Sequence, residues 1–249
     1  MHARYIFFIL FAFAAMSFSF LSNKPITIYM IGDSTMSIKD PKAYPETGWG
    51  MPFAGFFDST VKVDNRAKNG RSTRTFISEN LWQPVLENLQ EGDYVFIQFG
   101  HNDESKEKTE RYTTPGQYKT NLTRFVKETR SKKAVPVLLT PVSRRRFDKE
   151  GNALETHAAY SPLVKEVARE LNVLFIDMDA KSKALYQHMG VEDSKLLFLQ
   201  LKKGEHPNYP NGKDDNTHFN ELGARLIAQI VLSEIRVIDP SLAERIIKR

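Results

Sequence analysis

The chain has 249 residues, 41% of them hydrophobic and 26% charged, which suits one large α/β domain and is short for two full domains. It has no cysteine, so disulfides and thiolate metal sites are excluded and core packing alone must stabilise the fold. The formal net charge is +5, but no dense basic stripe interleaved with aromatic residues is present, so nucleic-acid binding is not expected. A mildly basic protein could instead meet an anionic polymer.

The N-terminus has the pattern of a secretory signal peptide. Arg4 supplies a positive charge, Tyr5–Met16 is almost wholly apolar, and small residues follow. We therefore predict a signal peptide over residues 1–22 and a secreted or periplasmic domain over residues 23–249. The alternative is an uncleaved membrane anchor, because the apolar run to Leu21 approaches the length that spans a bilayer.

The rest of the chain alternates short apolar runs with longer amphipathic ones. Continuous apolar runs that do not alternate with polar residues are typical of strands buried on both faces of a parallel sheet. Four such strands are predicted, at Ile26–Ile31, Tyr94–Phe99, Val135–Leu139 and Val173–Ile176, and a fifth at the weaker run Thr60–Val63.

Apolar residues at helical spacing predict amphipathic helices between and after these strands, at Pro115–Arg130, Tyr160–Leu171 and Asn220–Val237. Strand–helix alternation implies a parallel sheet with helices on both sides. Ligands of such sheets bind beyond the carboxyl ends of the strands, which is where candidate functional residues are sought.

The first predicted strand ends in Gly32-Asp33-Ser34, which places a serine at the carboxyl edge of the sheet. Glycine lets the chain turn there, and the backbone N–H groups of a following helical turn could face an oxyanion. The alternative is that Asp33 or Ser34 only caps a helix.

Two further strands end in residues that could serve the same site. Gly100-His101-Asn102-Asp103 follows the third strand, where Asn102 could donate a side-chain N–H. The second strand leads to Asn69-Gly70, whose glycine N–H could approach a ligand. Turn formation is the alternative for both segments.

Asp215 precedes His218 by three positions in a segment just before the last helix, predicted as a loop. A serine nucleophile needs a base to accept its proton, and that base needs an acceptor to fix its tautomer. Asp215 and His218 could supply both. The alternative is a helix N-terminus at which acidic residues are favoured by the helix dipole.

Together, these motifs closely resemble the SGNH, or GDSL-type, esterase superfamily. The matching residues are Gly32-Asp33-Ser34, Gly70, Gly100 with Asn102 and Asp103, and Asp215 with His218, in the order of that family. The resemblance implies a flavodoxin-like three-layer α/β/α sandwich with a central parallel sheet of about five strands. It also implies a serine esterase. A phosphatase or metallohydrolase would need clustered His and carboxylate ligands, but no His-Glu-x-x-His or similar spacing is present, so no metal is expected, and no cofactor is predicted.

Carried over to these positions, the resemblance implies that Ser34 is the nucleophile, His218 the base and Asp215 its orienting partner. The backbone N–H groups of Ser34 and Gly70 and the side chain of Asn102 would form the oxyanion hole.

Ser34-Thr35-Met36 and the segment Asn65 to Ser72 are similar to the rhamnogalacturonan acetylesterase branch. The expected substrate is therefore an acetylated plant polysaccharide or oligosaccharide, with arginines 71, 74 and 144–146 as candidate contacts for its carboxylates. Alternatives are an acetylxylan or other glycan esterase, a broad GDSL esterase, or a non-catalytic carbohydrate-binding protein. Trp49 could stack on a sugar or pack in the core. After signal cleavage no stable membrane association is expected, and the oligomeric state is not predicted.

Overall fold

The computed structural model describes residues 24–247, so the predicted signal peptide lies outside the described residues. All five predicted strands are present, as β1 Ile26–Gly32, β2 Val61–Asn65, β3 Tyr94–Gln98, β4 Val135–Leu139 and β5 Leu174–Ile176. They form one parallel sheet in the order β2-β1-β3-β4-β5. This is the flavodoxin-like strand order, which confirms the predicted fold class.

Helices cover both faces of the sheet. The three predicted helices are confirmed: the start at Pro115 is unchanged, and each of the other five ends differs by one residue. Five further α-helices are present within residues 24–247, and four of them are short. The bounds of all these helices are α1 Gly50–Phe53, α2 Thr73–Ser78, α3 Gln83–Asn88, α4 Pro115–Ser131, α5 Ser161–Glu170, α6 Met178–Asp193, α7 Glu221–Ile238 and α8 Pro240–Ala243. The start of α4 is encoded locally, because Thr114 and Gln117 form a capping box around Pro115 at the first helical position.

The central strands β1, β3 and β4 are buried on both faces, as continuous apolar runs predict, whereas the edge strand β2 is only partly buried. In β1, Ile28 and Met30 pack in one core, with α1, α6 and α7. Tyr29 and Ile31 pack in the opposite core, with α2 to α5. Successive side chains of a strand point to opposite faces, so this sheet lies between two separate apolar layers.

A two-stranded antiparallel hairpin lies outside the central sheet, with β6 at Phe198–Leu201 and β7 at Lys213–Phe219. The prediction of a loop around Asp215 and His218 is therefore wrong, since both lie on β7. This strand is polar along most of its length and only its last residue, Phe219, is buried, so it lacks the apolar run that marks the other strands. Within residues 24–247 no helix is long and apolar enough to cross a bilayer.

Candidate active site

Ser34 lies in the turn that follows β1, at the carboxyl edge of the sheet. The buried Asp33 shapes this turn, because its carboxylate accepts hydrogen bonds from Thr35 N at 2.9 Å and from Thr35 Oγ1 at 2.8 Å. Gly32 is required by close packing, since a Cβ there would lie 2.6 Å from the carbonyl oxygen of Gln98. The turn thus holds Ser34 at the bottom of an open cleft.

His218 reaches Ser34 from β7. Its Nε2 lies 2.9 Å from Ser34 Oγ, and its Nδ1 lies 2.9 Å from Asp215 Oδ2. The other Asp215 oxygen accepts the backbone N–H groups of Thr217 at 2.8 Å and His218 at 2.9 Å. The structure therefore brings the three predicted triad residues into one hydrogen-bonded chain.

The electrostatics of Asp215 fix the direction of this chain. Burial raises the pKa of Asp215, but hydrogen bonds from the His218 ring and from the backbone of His218 and Thr217 outweigh it and hold this pKa below its ordinary value. An ionised carboxylate only accepts hydrogen bonds, so Nδ1 of His218 carries the ring proton. Nε2 then faces Ser34 as an acceptor, which is what a general base requires.

Three residues that line the same cleft offer potential donors: the backbone N–H groups of Ser34 and Gly70 and the side-chain amide of Asn102. Gly70 has φ of +75°, a left-handed conformation that favours glycine. Among the described residues, no group accepts a hydrogen bond from the Ser34 or Gly70 amide. Asn102 is 9% exposed and lies on the same cleft with its side-chain nitrogen 3.0 Å from the carbonyl oxygen of Arg71, which leaves the second N–H of its amide for a ligand. These donors can stabilise a developing oxyanion.

The cleft around these residues has a volume of about 520 Å³ and also contains His101, Lys108 and Arg144. A larger concavity of about 780 Å³ adjoins the β6–β7 hairpin, but none of the triad residues lines it. Within residues 24–247 no three His, Asp or Glu side chains are grouped as metal ligands would be.

Lys39 is a buried cation below Ser34 that the sequence reasoning missed. Its ammonium group donates to the carbonyl oxygen of Ser34, to Asn69 Oδ1 at 2.9 Å and to Glu46 Oε1 at 2.7 Å. Burial lowers the pKa of Lys39, and the nearby Glu46 opposes that change. No motif marks this lysine, since its role depends on a contact that only the fold creates.

The profile of the GDSL-like Lipase/Acylhydrolase family matches residues 30–226, from β1 into α7, and so includes every residue of the site described above. The chain belongs to this family.

Relatives of this GDSL-like chain include a rhamnogalacturonan acetylesterase of Bacillus subtilis (strain 168). It is 42% identical over 92% of this chain and 97% of that protein. A Bacillus subtilis crystal structure superposes with a TM-score of 0.73 at 25% identity, over 86% of this chain and 57% of that larger one. An acetylxylan esterase from Geobacillus stearothermophilus shares the fold, with a TM-score of 0.60 at 20% identity over 85% of this chain and 94% of that chain.

Most of the arginines expected to contact substrate carboxylates have partners within this GDSL-like domain. Arg71 pairs with Glu79 at 2.7 Å, and Arg74 donates to the carbonyl of Thr109 at 2.6 Å. Arg145 donates to Asn216 Oδ1 at 2.7 Å. Arg144 pairs with Glu104 but also lines the cleft, so it could still meet a substrate. Arg146 is exposed.

Trp49 does not face the cleft of this GDSL-like domain. It is fully buried in the core, where its indole N–H donates to Gln98 Oε1 at 2.8 Å. Of the two readings of Trp49, core packing is therefore correct.

Asp103, at the end of the family's third motif, is fully buried, and its carboxyl group accepts hydrogen bonds from the backbone N–H and the hydroxyl of Thr73. Burial raises its pKa from 3.8 to about 7, against the opposing effect of hydrogen bonds from Thr73 and Thr113. The folded chain thus holds this proton more tightly than the unfolded chain. The resulting stabilisation is fully present below pH 3.8 and is lost as the pH rises to about 7. Asp215 does not mask the effect, because its lowered pKa leaves it ionised in both states over most of this window.

We therefore expect the free energy of unfolding to fall between pH 4 and 7 by on the order of a few kcal/mol more in the native chain than in Asp103→Asn. Urea unfolding of both proteins at several pH values measures this difference. Parallel pH profiles would show that Asp103 does not titrate in that window.

Proposed function

We propose that this protein is a serine-dependent carbohydrate O-acetylesterase that removes acetyl groups from rhamnogalacturonan. The single observation that supports this reaction is the chain of hydrogen bonds from Ser34 through His218 to Asp215, with Ser34 and His218 lining an open cleft. This arrangement is that of an activated serine nucleophile with an oriented base.

In the proposed mechanism, Ser34 Oγ attacks the carbonyl carbon of the acetyl ester while its proton passes to His218 Nε2. The tetrahedral intermediate collapses, the C–O bond to the sugar breaks, and the sugar oxygen takes the proton from His218. The acetyl group is then bound to Ser34. A water molecule gives one proton to His218 and its oxygen attacks the acyl carbon. The bond from this carbon to Ser34 Oγ then breaks, Oγ takes the proton from His218, and acetic acid leaves and ionises to acetate.

Negative charge develops on the carbonyl oxygen in both tetrahedral intermediates. The N–H groups of Ser34, Gly70 and Asn102 lie where they can donate to it, and they are already oriented before substrate binds. Donors that are preorganised in this way stabilise the transition state more than the ground state. Asp215 meanwhile stabilises the imidazolium that forms on His218.

Two observations support a pectic polysaccharide as substrate. The first is the named activity of the Bacillus subtilis relative that aligns over most of this chain. The second is the charge of the cleft, whose lining includes Lys108, Arg111 and Arg144 against Glu46 and Glu107, and where Lys108 is exposed with no salt bridge within residues 24–247. An unpaired lysine beside the triad can attract a galacturonate carboxylate.

We expect acetate release from acetylated rhamnogalacturonan to exceed release from acetylated xylan, with turnover absent in Ser34→Ala. The two polysaccharides are assayed side by side at matched acetyl content. Equal or greater release from xylan would overturn the substrate class and leave the triad intact. No release from either polysaccharide, nor from a small aryl acetate, would favour a non-catalytic carbohydrate-binding protein.

We also propose that the protein is exported and that residues 1–22 are removed, on the strength of the charged and apolar pattern of this segment. Intact-mass analysis of the exported protein is expected to show a chain that begins near residue 23. A full-length mass in the membrane fraction would instead indicate an uncleaved anchor.

A further inference from the structure

The side chain of Asn102 is held from two sides. Its nitrogen donates to the carbonyl oxygen of Arg71 at 3.0 Å, and its Oδ1 accepts from Arg111 Nη1 at 3.0 Å. A guanidinium only donates and a carbonyl only accepts, so these two neighbours determine which way the amide is turned. The second N–H of this nitrogen has no acceptor among residues 24–247, and Asn102 lines the cleft.

Arg111 belongs to the segment after β3 and lines the cleft with about one fifth of its side chain exposed. Besides Asn102, its Nη1 approaches the carbonyl oxygen of Gly70 at 3.4 Å. A Cβ at Gly70 would lie only 3.0 Å from the same nitrogen, so the guanidinium packs directly against this glycine. Arg111 thus contacts two of the three residues that supply the oxyanion hole.

The backbone around Arg111 is itself fixed. Arg74, on α2, donates to the carbonyl oxygens of Thr109 and Glu110, which directly precede it. On the other side, Tyr160 donates to the carbonyl oxygen of Thr113 at 2.6 Å. The guanidinium therefore projects from an anchored segment, and a group that must hold another side chain in place needs such support.

We propose that Arg111 is a positioning residue of the oxyanion hole, which orients the amide of Asn102 and strengthens its N–H as a donor. This inference rests on the proposed esterase function. A cation on Oδ1 withdraws electron density from the amide, and hydrogen bonds in a chain polarise one another. The positive charge also lies near the place where the transition state becomes negative.

A different role would follow from the position of Arg111 in the cleft, namely pairing with a carboxylate of the substrate. The two roles differ in what they change. Positioning acts on every ester, including a neutral aryl acetate, and lowers kcat. Carboxylate binding acts only on uronate-containing substrates and raises KM.

The test is a double-mutant cycle of Arg111→Met and Asn102→Ala, assayed on a neutral aryl acetate. Asn102→Ala is expected to lower kcat by about 100- to 1000-fold, as does the loss of one oxyanion donor elsewhere. Arg111→Met is expected to lower kcat by about 10- to 100-fold with little change in KM, and by only about threefold or less once Asn102 is absent. Lys106→Met is the matched control, because Lys106 is an exposed cation of the same segment with no side-chain partner within residues 24–247.

Additive effects of the two substitutions would overturn the proposal, because Arg111 would then act independently of Asn102. An unchanged kcat on the aryl acetate, with a raised KM on acetylated rhamnogalacturonan, would overturn it in favour of carboxylate binding. Ser34→Ala is measured in parallel: a fully active Ser34→Ala protein would refute the esterase mechanism itself, whatever the result of the cycle.

Thermal unfolding of each variant shows whether it folds. If Arg111→Met does not, the cycle is run with Arg111→Lys, which keeps the charge but loses the planar fork of donors. The lysine variant is expected to show a smaller loss of kcat that again disappears with Asn102→Ala. A loss that persists in that background would overturn the proposal.

Discussion

Ser34→Ala is expected to lower kcat for an aryl acetate by about ten thousand- to a million-fold, the range seen when a serine nucleophile is removed. The methyl side chain cannot attack the ester, whereas the oxyanion donors and His218 remain in place. Fold and stability should be preserved, because within residues 24–247 the single side-chain hydrogen bond of Ser34 Oγ is the one to His218, and Ser34 lines the cleft. Initial rates and thermal unfolding measure the two quantities.

Ser105→Ala is the matched control for the nucleophile. Ser105 lines the same cleft, but its hydroxyl donates to the carbonyl oxygen of His101 at 3.0 Å and has no imidazole beside it. It should retain activity within about threefold, as substitutions away from the reacting groups usually do. A Ser34→Ala protein that kept more than a tenth of native turnover would show that another group attacks the ester.

Asp215→Asn is expected to lower kcat by about ten thousand-fold, in line with the same change in a comparable triad. The backbone N–H groups of Thr217 and His218 would claim the amide oxygen, which turns the NH₂ group towards His218 Nδ1. That nitrogen must then accept, so the ring proton moves to Nε2 and the base can no longer take a proton from Ser34.

Asp214→Asn provides the same chemical change one residue away. Asp214 is exposed and its carboxylate accepts from Gln200 Nε2 at 2.8 Å, so activity should remain close to native. Rates of both variants are compared over a range of pH values. A loss smaller than tenfold in Asp215→Asn would mean that tautomer control by Asp215 contributes little.

The central fold was predictable because its signals are local. Apolar runs marked four strands of the sheet, a weaker run marked β2, and Pro115 with its capping residues marked the start of α4. The motif residues could be placed together for a topological reason, since the carboxyl ends of neighbouring parallel strands meet at one edge. Ser34, Gly70 and Asn102 follow three such strands.

Other parts of the site depend on contacts between distant residues, which no local pattern encodes. β7 is polar because it lies at the edge of the cleft, so its sequence resembles a loop. Lys39 and Arg111 resemble ordinary surface cations in the sequence, but the first is buried below Ser34 and the second contacts Asn102. Asn69 and Gly70, which line the cleft, likewise identify a turn in the sequence without identifying its ligand.

The hairpin that carries Asp215 and His218 has a consequence for biosynthesis. Ser34 is translated early and its base 184 residues later, so the nascent chain lacks the base and is inactive until β7 has been made. Asn220 then caps α7 and donates to the carbonyl oxygens of Leu196 and Phe198, which couples docking of this helix to closure of the hairpin. Any fragment that ends before His218 lacks the base, and hydrolysis by this protein therefore reports that translation has passed that residue and that the C-terminal part has docked.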